Sequence, residues 1–255
     1  MPRAILTGRD LSIREHLLEF RKRLTRSALV VLLTTGIAFA FHKQILELLM
    51  KPAQGFNVMG GKPIYIDLTE LIGTAMKSSL LVGIFASLPF VLYQIVMFVA
   101  PGLTGREKRY LYSLMPATLI SFVLGAAFGY FVLFPPAVKF LLSFGQELAT
   151  PQIRIGSYIS LMLSLLFWMG IVFQTPVILF FLSKIGIVTP EFLAKQRRYA
   201  IVIAFVLGAA ITPTFDPVNQ SIVAIPIILL YELGIWLARI GRLGKNKSLK
   251  RQNGE

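Results

Sequence analysis

The sequence of 255 residues is 55% hydrophobic and only 15% charged, with a mean hydropathy of +0.71. Apolar blocks of this length exclude an ordinary soluble domain and indicate a polytopic, all-α membrane protein that forms one membrane domain. The formal net charge of +14 would suggest nucleic acid in a soluble protein. Here the basic residues lie between and beside the apolar blocks, which is typical of membrane topology and contact with anionic lipid, so we expect no nucleic-acid partner.

The N-terminal region mixes acidic and basic side chains and has no leading apolar core, so we expect no cleaved signal peptide. Ser12 and Glu15 have the spacing of a capping box, and apolar residues follow at helical spacing. An amphipathic helix is therefore predicted over residues 12–26, at the membrane surface. The first span is predicted over residues 27–46, and the chain is expected to leave the helix at Pro52.

An irregular outer loop is predicted over residues 54–69, where Gly and Pro are frequent and hydrophobic periodicity is absent. The second span follows over residues 71–99, with a kink expected at Pro89. The third span is predicted over residues 111–134. We expect it to end at the Pro-Pro pair 135–136, because helices rarely continue through such a pair.

The next segments are less regular. A short helix on the outer face is expected within residues 136–157, and the fourth span, residues 158–182, is interrupted by Gln174 and Pro176. The fifth span, residues 199–211, reaches only ~20 Å at ~1.5 Å per residue. It is therefore shorter than the ~30 Å thickness of the hydrocarbon layer.

The sixth span, also short, is predicted over residues 218–237, and a basic tail follows over residues 238–255. Asp216, in the tight turn before this span, is expected to cap the helix. Glu232 is expected to pair with Arg239, one heptad further on. Four residues are assigned to structural turns: Pro52, Pro101, Pro213 and Asp216.

The distribution of basic residues predicts the orientation. If both termini and the two loops that contain Arg106 and Lys195 lie on one side of the membrane, that side holds 20 of the 26 Lys and Arg residues. This asymmetry predicts six spans with both termini in the cytoplasm.

No sequence pattern of a hydrolase, an ATPase or a metalloprotease is present. The chain has no cysteine and only two histidines, His16 and His42, which the predicted topology places on opposite sides of the membrane. We therefore expect no enzyme activity, no bound metal and no cofactor.

Two acidic residues, Glu19 and Glu107, are predicted on the cytoplasmic side close to the membrane plane. They would suit two guanidinium groups, because Arg binds carboxylate bidentately and more strongly than Lys does. The plainer interpretation is solvated ion pairing, since Arg23 follows Glu19 at i+4 and three bases flank Glu107. Spacing alone favours the ion pairs. It also favours an ordinary interfacial role for Phe98, with an apolar shelf for a partner as the alternative.

Gln174 is a polar side chain inside the fourth span. One interpretation is a hydrogen bond to a neighbouring helix, worth ~0.6–2 kcal/mol. The alternative is a polar point in a transport path.

Several segments, in this order, resemble the TatC family, the multispanning receptor of the twin-arginine protein translocase. The resemblance depends on their order and spacing together with six spans and a short fifth span. The segments are HLLEFRKRL (16–24), LPFVLYQIVMFVAPGLTGREKR (88–109), FPPAVKFLLSFG (134–145), FQTP (173–176), ITP (211–213) and AIPIILLYE (224–232).

The resemblance implies a concave six-helix scaffold in the cytoplasmic membrane of a prokaryote. It implies binding of twin-arginine signal peptides and transport of folded proteins driven by the proton-motive force. The implied partners are single-span proteins of the TatA and TatB type, further copies of the chain, and membrane lipids.

The family's signal-binding acids fall on Glu19 and Glu107, which reverses the preference for simple ion pairs. The residues that the resemblance assigns to signal binding are Glu19, Glu107, Phe98, Arg21, Arg23, Leu103 and Arg109. Gln174 and Gln94 are assigned to intramembrane polar contacts with partners. Many family members have glutamate where this chain has Gln174, so only a hydrogen-bonding role is carried over to that position.

Two other functions fit the sequence less well. A secondary transporter of a small solute usually has paired repeats and a midplane ion site, whereas the two halves of this chain share no convincing repeat and the span interiors hold almost no charge. A membrane-embedded enzyme would need a nucleophile and a base, and no such set is present.

Overall fold

The computed structural model describes residues 13–52, 63–143, 152–212 and 216–252. Within these ranges the regular structure is helical, and the one extended pairing joins Ile64 to Arg154. A 3-10 turn (Ala100–Gly102) and a π-helical segment (Gly129–Leu133) interrupt the α-helices. The α-helices are α1 (Ile13–Ala40), α2 (His42–Met50), α3 (Glu70–Val99), α4 (Gly105–Phe128), α5 (Phe134–Ser143), α6 (Ile155–Val172), α7 (Thr175–Ile185), α8 (Pro190–Lys195), α9 (Arg197–Ile211) and α10 (Pro217–Gln252).

Five helical stretches in the described residues are long and apolar enough to cross a membrane. This result confirms the prediction of an all-α, multi-span membrane protein. Helix α9, with 15 residues, is not among the five. The five stretches are Arg14–Ala40, Glu70–Gly102, Glu107–Ser143, Ile155–Ile185 and Pro217–Arg242.

Helix α1 joins the predicted surface segment and most of the first span in one helix of 28 residues. The helix is interrupted at Phe41, where the backbone leaves helical geometry, and α2 then continues to Met50. Pro52 ends a short 3-10 turn that follows α2. The predicted cap residue Ser12 and most of the predicted loop 54–69 lie outside the described residues.

Helices α1 and α3 approach each other closely because α3 presents small side chains. Gly83 is the point of closest approach: a Cβ atom there would lie 2.4 Å from Oγ1 of Thr35. The neighbouring Thr34 hydroxyl donates a hydrogen bond to the Gly83 carbonyl at 2.8 Å. Such contacts are the usual basis of helix association in lipid, where no hydrophobic force acts between helices. The small residues of this stripe are buried at every fourth position of α3: Ala75, Ser79, Gly83 and Ser87.

Helix α6 lies at the centre of the bundle, with 11 of its 18 residues buried. Gly125 of α4 permits close contact with α6, because a Cβ atom there would lie 2.4 Å from the carbonyl oxygen of Met169. The Ser121 hydroxyl of α4 donates to the Phe173 carbonyl at 2.6 Å, just after α6 ends. These contacts fix α4 against the central helix.

The prediction that the third span ends at the Pro-Pro pair 135–136 is wrong. Helix α4 passes through the π-helical segment into α5, and both prolines lie in the first turn of α5. Proline is tolerated in a first turn because the N–H groups there need no intrahelical acceptor. The π segment changes the hydrogen-bond register just before that turn, so the helical path continues to Ser143.

Helices α6 and α7 meet at a break that includes Gln174, as the sequence predicts, and Pro176 lies in the first turn of α7. Helix α7 ends at Gly186, whose φ of 94° favours glycine.

The last two helices differ strongly in length, with 15 residues in α9 and 36 in α10. Asp216 caps α10, because its Oδ1 accepts a hydrogen bond from the backbone N–H of Asn219 at 2.7 Å. The predicted turn residue Pro213 lies outside the described residues. The predicted pairing of Glu232 with Arg239 is wrong, since Glu232 accepts two hydrogen bonds from Arg197, at 2.6 and 2.9 Å.

We predict that Gly83→Ala weakens the α1–α3 contact, because the added methyl group meets the backbone of Thr35 as well as its hydroxyl. Overpacking of this kind costs ~1–3 kcal/mol. The expected result is a lower midpoint of thermal unfolding in detergent. Gly73→Ala in the same helix is the matched control, since nothing lies within 4 Å of the added methyl group. An equal midpoint for both variants would contradict the prediction.

Candidate functional site

The beginning of α1, the end of α3 and the beginning of α4 meet at one end of the bundle. Phe98 of α3 forms the junction: its ring lies 4.4 Å from the His16 ring and 5.4 Å from the Phe20 ring, measured between centroids. The 3-10 turn that contains Pro101 then leads directly into α4 and Glu107. We call this end the α1–α3–α4 surface.

Glu19 is already bound to a guanidinium group. Its Oε1 accepts hydrogen bonds from Nε of Arg23 at 2.9 Å and from Nη2 of the same side chain. Nη1 of Arg23 donates to Oε1 of Gln94 at 3.1 Å. Gln94 is only 5% exposed. Arg23 therefore links the acid on α1 to a buried amide on α3.

Glu107 is held by the first turn of α4. It is the third residue of the helix, and its Oε2 accepts a hydrogen bond from the backbone N–H of Thr104 at 2.8 Å. The Thr104 side chain accepts in return from the backbone of Glu107, which completes a capping box. The carboxylate is thus oriented at the helix N-terminus, where negative charge is favoured.

The other predicted site residues lie on α1, on α4 or in the turn before α4. Arg21 and Arg109 are exposed, on α1 and α4 respectively. Leu103 is partly buried, and its N–H donates to the Ala100 carbonyl at 3.1 Å, at the end of the 3-10 turn. The predicted residues therefore contribute two oriented carboxylates, the Phe98 ring and several basic side chains to this surface.

The two predicted polar contacts have different positions. Gln94 belongs to the α1–α3–α4 surface through Arg23. Gln174 lies at the α6–α7 break, where its Nε2 donates to the Thr118 carbonyl of α4 at 3.1 Å and to the Gly170 carbonyl at 3.3 Å. Its buried Oε1 has no hydrogen-bond partner among the described residues.

Sequence reasoning missed three residues that build this surface: His16, Phe20 and Thr104. His16 and Phe20 stand at i and i+4, a spacing that puts both rings on one helix face. Thr104 begins a T-x-x-E pattern that is a direct signal of a capping box. The link from Arg23 to Gln94 spans 71 positions and has no comparable signal.

An ionic cluster ties α8 to α10. The Glu191 carboxylate contacts Arg242. A hydrogen bond from its own backbone N–H, helped by the Thr189 hydroxyl and by Arg242, holds the pKa of Glu191 below its usual value despite partial desolvation. Lys184, at the end of α7, lies 5.0 Å from the centre of the Tyr110 ring on α4. The α7–α8 segment is therefore anchored at the same end of the bundle as the two acids.

A family model described as the Sec-independent protein translocase protein TatC matches residues 15–226. The chain belongs to the TatC family. This confirms the family that the sequence motifs indicated, and Sec-independent protein translocation is therefore the function of the chain. The matched range includes Glu19, Phe98 and Glu107. The TatC family is a family of translocase proteins and not of known enzymes.

TatC relatives match almost the whole chain. TatC of Aquifex aeolicus is 41% identical over 246 residues, which cover 94% of this chain and 100% of that protein. TatC of Carboxydothermus hydrogenoformans is 36% identical over 234 residues, covering 92% and 95% respectively. A crystal structure of the twin arginine translocase receptor TatC superposes with a TM-score of 0.80 and 42% identity, covering 89% of this chain and 99% of that one.

We predict that Thr104→Ala loosens the first turn of α4. Loss of an N-cap hydroxyl costs ~0.5–2 kcal/mol. Amide hydrogen exchange at Glu107 should therefore accelerate several-fold, while the rest of α4 keeps its protection. Thr118→Ala is the control within the same helix, because its hydroxyl bonds only to the Leu114 carbonyl of the preceding turn. Unchanged exchange at Glu107 in the Thr104 variant would contradict the capping role.

Proposed function

We propose that this TatC-family chain binds twin-arginine signal peptides at the α1–α3–α4 surface and supports transport of folded proteins driven by the proton-motive force. The observation that carries the proposal is the pair of oriented carboxylates, Glu19 and Glu107, beside the Phe98 ring. Basic side chains are frequent on the same two helices, including the exposed Arg21 and Arg109. A basic client segment would be repelled by such a surface unless its own cations reached carboxylates.

The Glu19–Arg23 pair supports arginine as the preferred ligand. Two nitrogens of one guanidinium group already bind this carboxylate. A client guanidinium can form the same contact. A lysine ammonium is a point charge and cannot direct two N–H groups of one planar group at the carboxylate. In the proposed complex a client arginine takes the place of Arg23, which keeps its hydrogen bond to Gln94. Glu107 receives the second arginine.

The apolar part of the signal would begin next to Phe98. The ring of Phe98 is held against His16 and Phe20, so it presents a fixed surface. Helix α3 leads from there into the membrane. A peptide with its arginines at the acids and its apolar segment against Phe98 would therefore run toward the bilayer.

We propose six spans with both termini in the cytoplasm of a prokaryote, where α9 is the short fifth span. Its 15 residues extend ~22 Å, enough to cross only a locally thinned hydrocarbon layer. The excess of basic residues on the loops of the α1–α3–α4 surface supports this orientation.

We propose single-span TatA-type and TatB-type proteins, together with further copies of this chain, as the partners in the membrane. The short span α9 supports this proposal, because a locally thinned bilayer would favour docking of partner helices beside it. Gln174 can contribute to such docking only after a movement that exposes its buried Oε1.

We predict that Glu107→Gln and Glu19→Gln each weaken binding of a twin-arginine peptide to the purified protein by roughly tenfold or more, because hydrogen bonds to a charged group contribute ~1.5–3 kcal/mol. A fluorescent peptide titrated in detergent gives the affinity. The same peptide with Lys-Lys should bind the native chain weakly.

Glu47→Gln on α2 serves as the control, since Glu47 is exposed and lies away from the surface. Native affinity in both site variants, with equal binding of the Arg-Arg and Lys-Lys peptides, would reject the site assignment.

Single cysteines test the topology, because the chain has none of its own. In right-side-out vesicles, an impermeant maleimide should label Gln44→Cys on α2 at once. It should label Lys195→Cys, at the end of α8, only after the membrane is permeabilised. The reverse pattern would overturn the proposed orientation.

A further inference from the structure

A cavity of about 850 Å³ opens at the end of the bundle opposite the α1–α3–α4 surface, between α3, α5, α6 and the end of α9. A second cavity of about 350 Å³ lies between α3 and α6. Lys77, Ser160 and Ser164 line both cavities. The two cavities therefore form one groove, which we call the α3–α6 groove.

The chemistry of the groove changes along its length. Its mouth contains the charged residues Asp67, Glu70 and Arg154. Its inner part is apolar except for Lys77 and two serines at the junction. The apolar lining residues are Leu80, Leu81, Ile84, Leu163, Phe167 and Trp168. An occupant that suits both parts has a polar head and an apolar chain.

The positive charge of Lys77, where the two cavities meet, favours an anionic ligand. Arg154 at the mouth is neutralised by Asp67 and by Glu70, whose Oε2 lies 2.9 Å from its Nε. Lys77 has no carboxylate within ion-pair distance in the described part of the chain. It lies about two turns into the candidate span Glu70–Gly102. Basic residues inside spans are costly and are normally paired.

Three serines of α6 add hydroxyl groups on the same side: Ser157, Ser160 and Ser164. Their spacing of three and four residues puts them on one helix face. Many other helical hydroxyls donate to the preceding turn, as Thr74 does at 2.7 Å and Ser78 at 2.8 Å. Within the described part of the chain the three groove hydroxyls form no hydrogen bond, so they are available to an occupant's oxygen atoms.

The inner cavity has a volume of about 350 Å³ and an apolar lining beyond the junction. It suits an acyl chain whose anionic head lies at Lys77.

We propose that the α3–α6 groove binds one anionic phospholipid. The phosphate lies at Lys77 with hydrogen bonds from Ser160 and Ser164, and one acyl chain fills the inner cavity. The lipid belongs to the leaflet opposite the α1–α3–α4 surface. This site is independent of signal binding, since the two lie at opposite ends of α3.

Native mass spectrometry of the detergent-purified protein tests the proposal, with phosphatidylglycerol and phosphatidylcholine of the same acyl chains as probes. The native chain should retain one phosphatidylglycerol in preference to phosphatidylcholine. Lys77→Gln should lower that preference about fivefold, the effect of one basic residue near a lipid phosphate. Lys43→Gln, an exposed lysine of α2 in the same half of the chain, should leave it unchanged.

Two further variants keep the test decisive. The double variant Ser160→Ala, Ser164→Ala should also lower phosphatidylglycerol retention. It provides the test if Lys77→Gln proves unstable. Ser164→Phe should fill the inner cavity and reduce retention of both lipids. The proposal would be overturned if Lys77→Gln and the double serine variant kept the native preference for phosphatidylglycerol over phosphatidylcholine. It would also be overturned if a photocrosslinker at position 164 captured protein and no lipid. Twin-arginine peptide affinity should stay unchanged in Lys77→Gln, which separates this site from the proposed signal site.

Discussion

The close packing of α1 against α3 is the constraint on which the site depends. Gly83 lets the two backbones approach, and the Thr34 hydroxyl bonds to its carbonyl. This contact fixes the register in which Arg23 meets Gln94 and His16 meets Phe98, nearer the ends of the same helices. Because helices in lipid associate by fit and not by hydrophobic force, a small change of register would separate every one of these pairs.

The candidate acids are engaged before any client arrives. Glu19 binds an internal guanidinium group, and Glu107 accepts from the N–H that begins its helix. Under the proposed function, recognition on this surface is an exchange of partners and not the filling of vacant carboxylates. Exchange limits affinity, since the displaced Arg23 must be accommodated, but it raises selectivity against any cation that cannot match a guanidinium fork. Both effects would suit the proposed function, in which a bound signal peptide must later be released.

The sequence predicts the helical class, the break at Gln174 and the TatC family, because hydropathy, Pro and Gly positions and ordered motifs are local signals. The sequence does not predict features that depend on contacts between residues far apart along the chain. The continuation through the 135–136 Pro-Pro pair depends on a π segment that no residue pattern announces. Glu232 pairs with Arg197, 35 positions away, although Arg239 is closer in sequence. Gln94 likewise looks in the sequence like any polar residue within a span, and only the structure shows its contact with Arg23.

The contacts between α8 and α10 have a mechanical consequence. Glu191 of α8 contacts Arg242 of α10. About three turns earlier on α10, the Tyr231 hydroxyl donates a hydrogen bond to the Leu193 carbonyl of α8 at 2.8 Å. Two contacts at separate heights fix the orientation of α8 as well as its position, so this short helix cannot pivot independently of α10.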